Sequence, residues 1–211
     1  MKEYKLPIGC DVPETIILAD GDFPSHPLAL EWLRQCPYVV CCDGAANTYI
    51  RSGRMPEAIV GDGDSLLPDI KERYASLIHS EAEQETNDLS KAFRFCLSQE
   101  RKRITIMGAT GKREDHTIGN VSLLADYMEQ AEVSMMTDYG IFVPIREDSM
   151  FESYIGQQIS VFNMNSTALS AEGLAYPLSV FTNWWQGTLN EACARHFMIR
   201  TEGKGFVVRV F

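Results

Sequence analysis

The chain has 211 residues, 45% of them hydrophobic and 23% charged, with a formal net charge of −10. That length allows one large domain or two small ones, each burying its own core, in an ordinary globular composition. The acidic balance argues against nucleic acid and anionic lipid as partners, and an anionic nucleotide would need a metal ion and glycine-rich backbone to bind here.

The opening residues MKEYKLPIGCDVPE lack the apolar core of a secretion signal. No stretch approaches the length of apolar sequence that crosses a membrane. The six cysteines, Cys10, Cys36, Cys41, Cys42, Cys96 and Cys193, contain no C-x-x-C pair, which suggests free thiols in a reducing cytoplasm.

In chain order, residues 15–19 form an apolar run predicted as a strand, ending at Asp20-Gly21-Asp22. A helix is expected around 28–34. Residues 38–42 make a second apolar run ending at Asp43-Gly44, residues 58–60 a third ending at Gly61-Asp62, and residues 76–78 a short fourth. Leu89, Ala92, Phe93, Cys96 and Leu97 follow the i, i+3, i+4, i+7, i+8 spacing of one helix face. Asn87 or Asp88 can cap that helix. Residues 104–107 read as a strand ending at Gly108. A helix beginning near Asp115 carries Ile118, Val121, Leu124, Tyr127 and Met128, and a strand at 133–136 ends at Thr137-Asp138. Short, wholly apolar strands alternating with helices imply an α/β fold, a mostly parallel sheet with helices on both faces.

After about residue 140 the pattern changes. Glycine, proline and asparagine punctuate short strand-like pieces at 156–162, 168–170, 178–181, 195–201 and 206–211, with no convincing helix. This predicts a small antiparallel β-sandwich or barrel. The boundary is placed near 144–149, giving an α/β domain over 1–144 and a β domain over 145–211.

Ligands of a parallel sheet bind outside the carboxyl ends of its strands. Asp43, Asp62 and Asp64 follow strands, and Asp88 and Asp115 open helices that begin at the same edge, so five carboxylates are expected on one rim. Each alone also fits a plain role as a helix cap or turn residue. The pair in Gly61-Asp62-Gly63-Asp64-Ser65 is harder to explain that way, because adjacent carboxylates repel unless a cation lies between them. The loop Gly108-Ala109-Thr110-Gly111-Lys112-Arg113 supplies the complement, with glycines that admit a phosphate and two cations. It is neither a Walker A loop nor a dinucleotide fingerprint. His116 reads more simply as a packing residue of the first helical turn, and His26, His79 and His196 form no ligand spacing. This inventory points to a magnesium-dependent enzyme acting on a polyphosphate.

Together these motifs resemble the thiamine pyrophosphokinase family. The matching pieces run in family order: CCDGAANTYI (41–50), PEAIVGDGDSL (56–66), TNDLSKA (86–92), GATGKREDHTIGNVSLL (108–124), LSAEGLAYPL (169–178) and GTLNE (187–191). The resemblance implies a doubly wound N-terminal domain, a C-terminal β-sandwich, and a homodimer with active sites at the subunit interface. It also implies a reaction in which thiamine's hydroxyl attacks the β-phosphorus of ATP, giving thiamine diphosphate and AMP.

By the same resemblance, Asp62, Asp64, Asp88 and Asp115 are catalytic, and Asp62, Asp64 and Asp88 hold Mg²⁺. Asp43, Asn47, Ser65, Gly108, Gly111, Lys112 and Arg113 face ATP, and Thr188, Asn190 and Phe206 face thiamine. The chain departs from the family pattern at Gly63, where an aromatic residue often separates the paired aspartates, and at Leu189, where a serine is usual. Phe206 stands in for a late tryptophan, with Trp184 and Trp185 in reserve. The alternatives are another Mg²⁺- and ATP-dependent phosphotransferase acting on a small alcohol, or a non-catalytic thiamine or nucleotide sensor.

Overall fold

Residues 1–7, 11–81, 83 and 85–211 are described by a computed structural model of the chain. Cys10 lies outside the described residues. The chain divides into two units: one holds residues 11 to 138, and the other joins the N-terminal segment to Tyr139–Phe211.

Among the described residues of the first unit, six strands pair in parallel. They are β2 (Thr15–Leu18), β3 (Val39–Cys42), β4 (Ala58–Gly61), β5 (Ile78–Ser80), β6 (Arg103–Met107) and β7 (Glu132–Met136). Their order is β7-β6-β2-β3-β4-β5. Chain order runs outward one way from β2 to β5 and the other way through β6 and β7, so the sheet is doubly wound and its switch point lies between β2 and β6. The runs TIIL, VVCC and AIVG are buried at every position, as central strands covered on both faces must be.

Helices α1 (Pro27–Gln35), α2 (Ala45–Arg51), α3 (Pro68–Arg73), α4 (Asp88–Ser98) and α5 (Glu114–Tyr127) connect these strands. In α1, His26 caps through Nδ1, which accepts from the Leu28 amide at 3.3 Å, and Pro27 occupies the first turn, where its missing N–H costs nothing. In α4, Asn87 is the cap, its Oδ1 accepting from the Ser90 amide at 2.9 Å, so the Asp88 carboxylate is left for other work. Leu89, Ala92, Phe93 and Cys96 of α4 are buried, as their spacing predicts. The α5 face is buried only in part: Leu124 and Tyr127 are inside, whereas Ile118 is 60% exposed. The fourth expected strand, 76–78, is a 3-10 turn at Ala75–Leu77, and the strand follows as β5.

Cys41, Cys42 and Cys96 are buried free thiols. Burial pushes the Cys96 thiol up to about 12 and raises the other two as well, so they serve as core atoms rather than nucleophiles.

The second unit is a β-sandwich. One layer pairs β12 (Asn190–Glu191), β10 (Gln158–Asn163), β14 (Gly205–Val210) and β8 (Gly140–Ile145), all antiparallel. The other pairs β1 (Lys2–Tyr4), β9 (Ser149–Glu152), β13 (His196–Thr201) and β11 (Leu169–Glu172). Alternate residues point inward, and Val143, Phe151, Ile159, Val161, Phe197, Ile199 and Val207 form the core between the layers.

The boundary placed at 144/145 from the sequence falls within β8, and β1, placed with the α/β domain, runs parallel to β9 instead. The reason is local chemistry. Tyr4 stacks on Phe151 at 4.7 Å and Phe151 on Phe197 at 5.0 Å, and buried Arg209 donates to the carbonyls of Lys5 at 2.9 Å and Glu152 at 3.0 Å. Residues 178–181, expected as a strand, are irregular, with Leu178 packed into the core, and Trp184–Gly187 form a 3-10 turn. Among the described residues, no helix is long and apolar enough to cross a membrane.

Candidate active site

A cavity of about 480 Å³ opens at the carboxyl ends of β2, β3 and β6, within the size range of small-molecule sites. Its lining brings together Asp20, Asp43, Asp88, Lys112 and Arg113, with Ser65, Gly111, His116 and Asn120. A smaller recess of about 140 Å³ shares Asp20, Gly21 and Lys112 and adds Phe23 and Thr48.

Asp43 is the buried member, 4% exposed. Its backbone φ of +34° lies in a region that aspartate enters more readily than most residues. One oxygen, Oδ2, accepts from the Ser65 amide at 3.0 Å, while Oδ1 is buried without a hydrogen-bond partner. Burial raises the Asp43 carboxyl above the ordinary carboxylate range; the Ser65 amide opposes this, and the charges of Asp88 and Asp62 add to it. Gly61 permits the crowding, since a Cβ there would stand 2.8 Å from Asp43 Cβ and 3.4 Å from Asp88 Cγ.

Asp88 is balanced from below by Lys91, whose Nζ lies 3.1 Å from Oδ1. Burial disfavours this ammonium, but the bond to Asp88 and the surrounding carboxylates outweigh it and hold the Lys91 pKa above its usual value. The cations of the glycine loop are likewise paired. Lys112 Nζ donates to Asp20 O at 2.8 Å and Oδ1 at 3.1 Å, and Arg113 donates to Asp115 Oδ2 at 2.6 Å. The Arg113 bond lowers the Asp115 carboxyl to about 2.

The remaining expected residues lie outside this lining. Asp62 is exposed and outside the lining, though its charge reaches Asp43 and Lys91; its Oδ1 accepts from the Asp64 amide at 3.1 Å. Asp64 faces a separate depression with Lys71, and Asp115 stands outside the cavity as the partner of Arg113. Asn47 ties the loop after β4 by donating to Ser65 O at 2.8 Å and accepting from the Leu67 amide at 3.0 Å.

Thr188, Asn190 and Phe206 belong to the sandwich unit. Asn190 is buried, exchanging bonds with Tyr176 N at 3.0 Å and Tyr176 O at 2.8 Å; Thr188 Oγ1 donates to Trp185 O at 2.7 Å; and Phe206 is 1% exposed.

Asp20 and Asn120 are among the lining residues that the sequence motifs did not single out. Asp20 follows β2 as Asp43 follows β3, a parallel that would have flagged it. Asn120 donates to Ala109 O at 2.8 Å from inside α5 and carries no local signal.

Among the described residues, no three side chains of metal-binding type are grouped closely enough to enclose an ion. The donor set still suits magnesium, which takes one or two carboxylates and fills its sphere with water and phosphate oxygens, and the buried Asp43 Oδ1 is an acceptor with no hydrogen-bond partner.

Fold and cavity define a class: a doubly wound α/β unit with a carboxylate- and glycine-lined cavity at its switch point, joined to a β-sandwich. The family model described as "Thiamin pyrophosphokinase, catalytic domain" matches residues 29–136, and "Thiamin pyrophosphokinase, substrate-binding domain" matches residues 140–208. The chain belongs to the thiamin pyrophosphokinase family.

Over 129 residues it is 30% identical to thiamine pyrophosphokinase 1 of Oryza sativa subsp. japonica, a match covering 49% of each chain. The chain thus spans about half the length of the relatives it matches at this level. Its fold is that of the thiamin pyrophosphokinase from Candida albicans (TM-score 0.81, 18% identity, covering 100% of this chain and 93% of that one). It is also that of the Bacillus subtilis thiamine pyrophosphokinase (TM-score 0.78, 20% identity, covering 93% and 98%).

Proposed function

We propose that the protein transfers the diphosphoryl group of ATP to the hydroxyl of thiamine, giving thiamine diphosphate and AMP. The observation that carries this reading is the buried Asp43 carboxylate, with one oxygen unbonded, in a cavity that also presents Asp88, Lys112 and Arg113 within a matched family catalytic domain.

Asp62, Asp64 and Asp88, with Asp43, are the proposed magnesium ligands. Bound there, Mg²⁺ neutralises phosphate charge. Lys112, Arg113 and the backbone of Gly108 and Gly111 take phosphate oxygens, while Asn47 and Ser65 hold the opposite wall on the ATP side. Asp115 steers Arg113 and completes the catalytic set with Asp62, Asp64 and Asp88. The chain's own contribution is placement and charge complementarity.

On the thiamine side the proposal keeps Thr188 and Asn190. Of the aromatic candidates it favours Trp185, which is 73% exposed, over Phe206 at 1%. The same reading makes the protein a cytoplasmic homodimer with active sites between subunits. Exposed Tyr176, Trp185 and Leu189 support the pairing, and the free thiols support the compartment.

The test is incubation with ATP, Mg²⁺ and thiamine, with the nucleotide product identified. AMP together with thiamine diphosphate is expected; ADP would reject diphosphoryl transfer, and binding without turnover would make the protein a sensor.

A further inference from the structure

The loop after β2 and the loop after β6 meet at the switch point, and their backbones are joined. Ala19 N donates to Met107 O at 2.8 Å, Gly21 N to Gly108 O at 2.6 Å and Asp22 N to Thr110 O at 2.9 Å. Asp20 is therefore fixed at the mouth of the glycine loop. Its carbonyl accepts one N–H of Lys112 and its carboxylate accepts another, at 3.1 Å. The two side chains are about half exposed, 55% for Lys112 and 47% for Asp20, and both line the cavity.

We propose that the Asp20 carboxylate is an internal competitor for phosphate at Lys112: it occupies the ammonium as a phosphate oxygen would, and it is displaced when a polyphosphate binds. This rests on the reading of the cavity as a phosphate site. The backbone carbonyl keeps Lys112 over the cavity when the carboxylate swings away, so displacement breaks one contact and preserves the other. A half-exposed ion pair is worth no more than about a fivefold factor in an equilibrium. A polyphosphate brings more charge and more acceptor oxygens than a carboxylate, and it prevails. A weakly charged anion gains too little to do so. Asp20 is thus a specificity-determining residue that sets a threshold of charge for entry. After displacement it remains in the lining beside Asp43 and Asp88, released from the lysine.

The test is calorimetric titration of inorganic pyrophosphate with Mg²⁺ into four folded proteins: wild type, Asp20→Asn, Lys112→Met and the double variant. Asp20→Asn is expected to bind roughly three- to fivefold more tightly than wild type, the factor an exposed pair contributes. The gain should vanish in the Lys112→Met background and shrink with added salt. Equal or weaker binding by Asp20→Asn would overturn the inference alone, as would a gain that persists without Lys112, since that would reduce Asp20 to a diffuse charge. Absence of pyrophosphate binding in wild type and Asp20→Asn alike would overturn the phosphate-site reading and the inference with it.

Discussion

Lys91 lies beneath Asp88, its Nζ 3.1 Å from Oδ1, with the lysine side chain 5% exposed and the aspartate side chain 36% exposed. The residues are one helical turn apart on α4, so the strand-to-helix junction that aims Asp88 into the cavity also carries its counter-charge. Replacing the aspartate strands a buried ammonium, whereas replacing the lysine with an apolar side chain of similar length does not. Asp88→Asn should lose roughly 2 kcal/mol of stability, below the cost of breaking a fully buried pair because Asp88 reaches solvent. Lys91→Met should stay within about 1 kcal/mol of wild type yet lose about tenfold or more in kcat/KM, since a misaimed carboxylate costs rate rather than fold. Chemical denaturation and steady-state kinetics on the two variants separate these outcomes; equal stability losses would contradict the arrangement.

Asp43 sets stability against activity. Burial raises its carboxyl in the folded state, so the folded protein holds this proton more tightly than the unfolded chain does. The resulting contribution to stability is present below the unfolded value and is lost as pH rises through the higher folded one. Asp43→Asn removes that loss. Its melting temperature should exceed wild type at pH 7, with the gap closing near pH 3. Activity should fall at least 100-fold, and Mg²⁺ with ADP should raise the melting temperature of wild type but not of the variant.

The proposed magnesium ligands Asp62 and Asp64 are both exposed. Asp62→Asn and Asp64→Asn should therefore leave stability within about 0.5 kcal/mol of wild type while abolishing most turnover. Near-wild-type rates in either variant would remove that residue from the set.

Gly111 has φ of +77°, and a Cβ there would overlap the Asp22 carboxylate. Gly111→Ala meets a left-handed backbone cost of about 1–2 kcal/mol and pushes the two loops apart. KM for ATP should rise about tenfold, the effect of a small displacement at a positioned site, and Asp22→Ala should restore part of it. An unchanged KM would mean the loop contact has no part in nucleotide binding.

Trp185 is 73% exposed. If it stacks on thiamine, Trp185→Ala should raise KM for thiamine about tenfold, leave KM for ATP unchanged, and shift stability by less than about 0.5 kcal/mol. Light scattering on the same variant reports whether the tryptophan also supports the homodimer.

Much of the architecture was legible because the α/β half uses the strongest local signals. The runs ending at Leu18, Cys42, Gly61, Met107 and Met136 are short, apolar and followed by turn residues, and each is a strand. Helix α4 could be read from its spacing, whereas α2 and α3, only seven and six residues long, are too short for a periodic pattern to form. In the sandwich, β8 and β9 passed unnoticed because they lie just where the pattern changes, and residues 178–181 look like a strand because Leu178 is apolar for the core rather than for a sheet.

By itself, the sequence determined that strands ending in Asp-Gly alternate with helices, that a glycine loop with two cations follows β6, and that these motifs run in the family's order. Only the tertiary structure decided which charges meet. Asp20 and Lys112 are 92 positions apart, and their contact exists because β2 and β6 are neighbours across the switch point. Tyr4 finds Phe151 because β1 joins a sheet far along the chain. Local patterns report what each segment can become. Strand order and register, set by burying all the apolar faces at once, determine which segments become neighbours, and therefore which carboxylate is left with an unbonded oxygen.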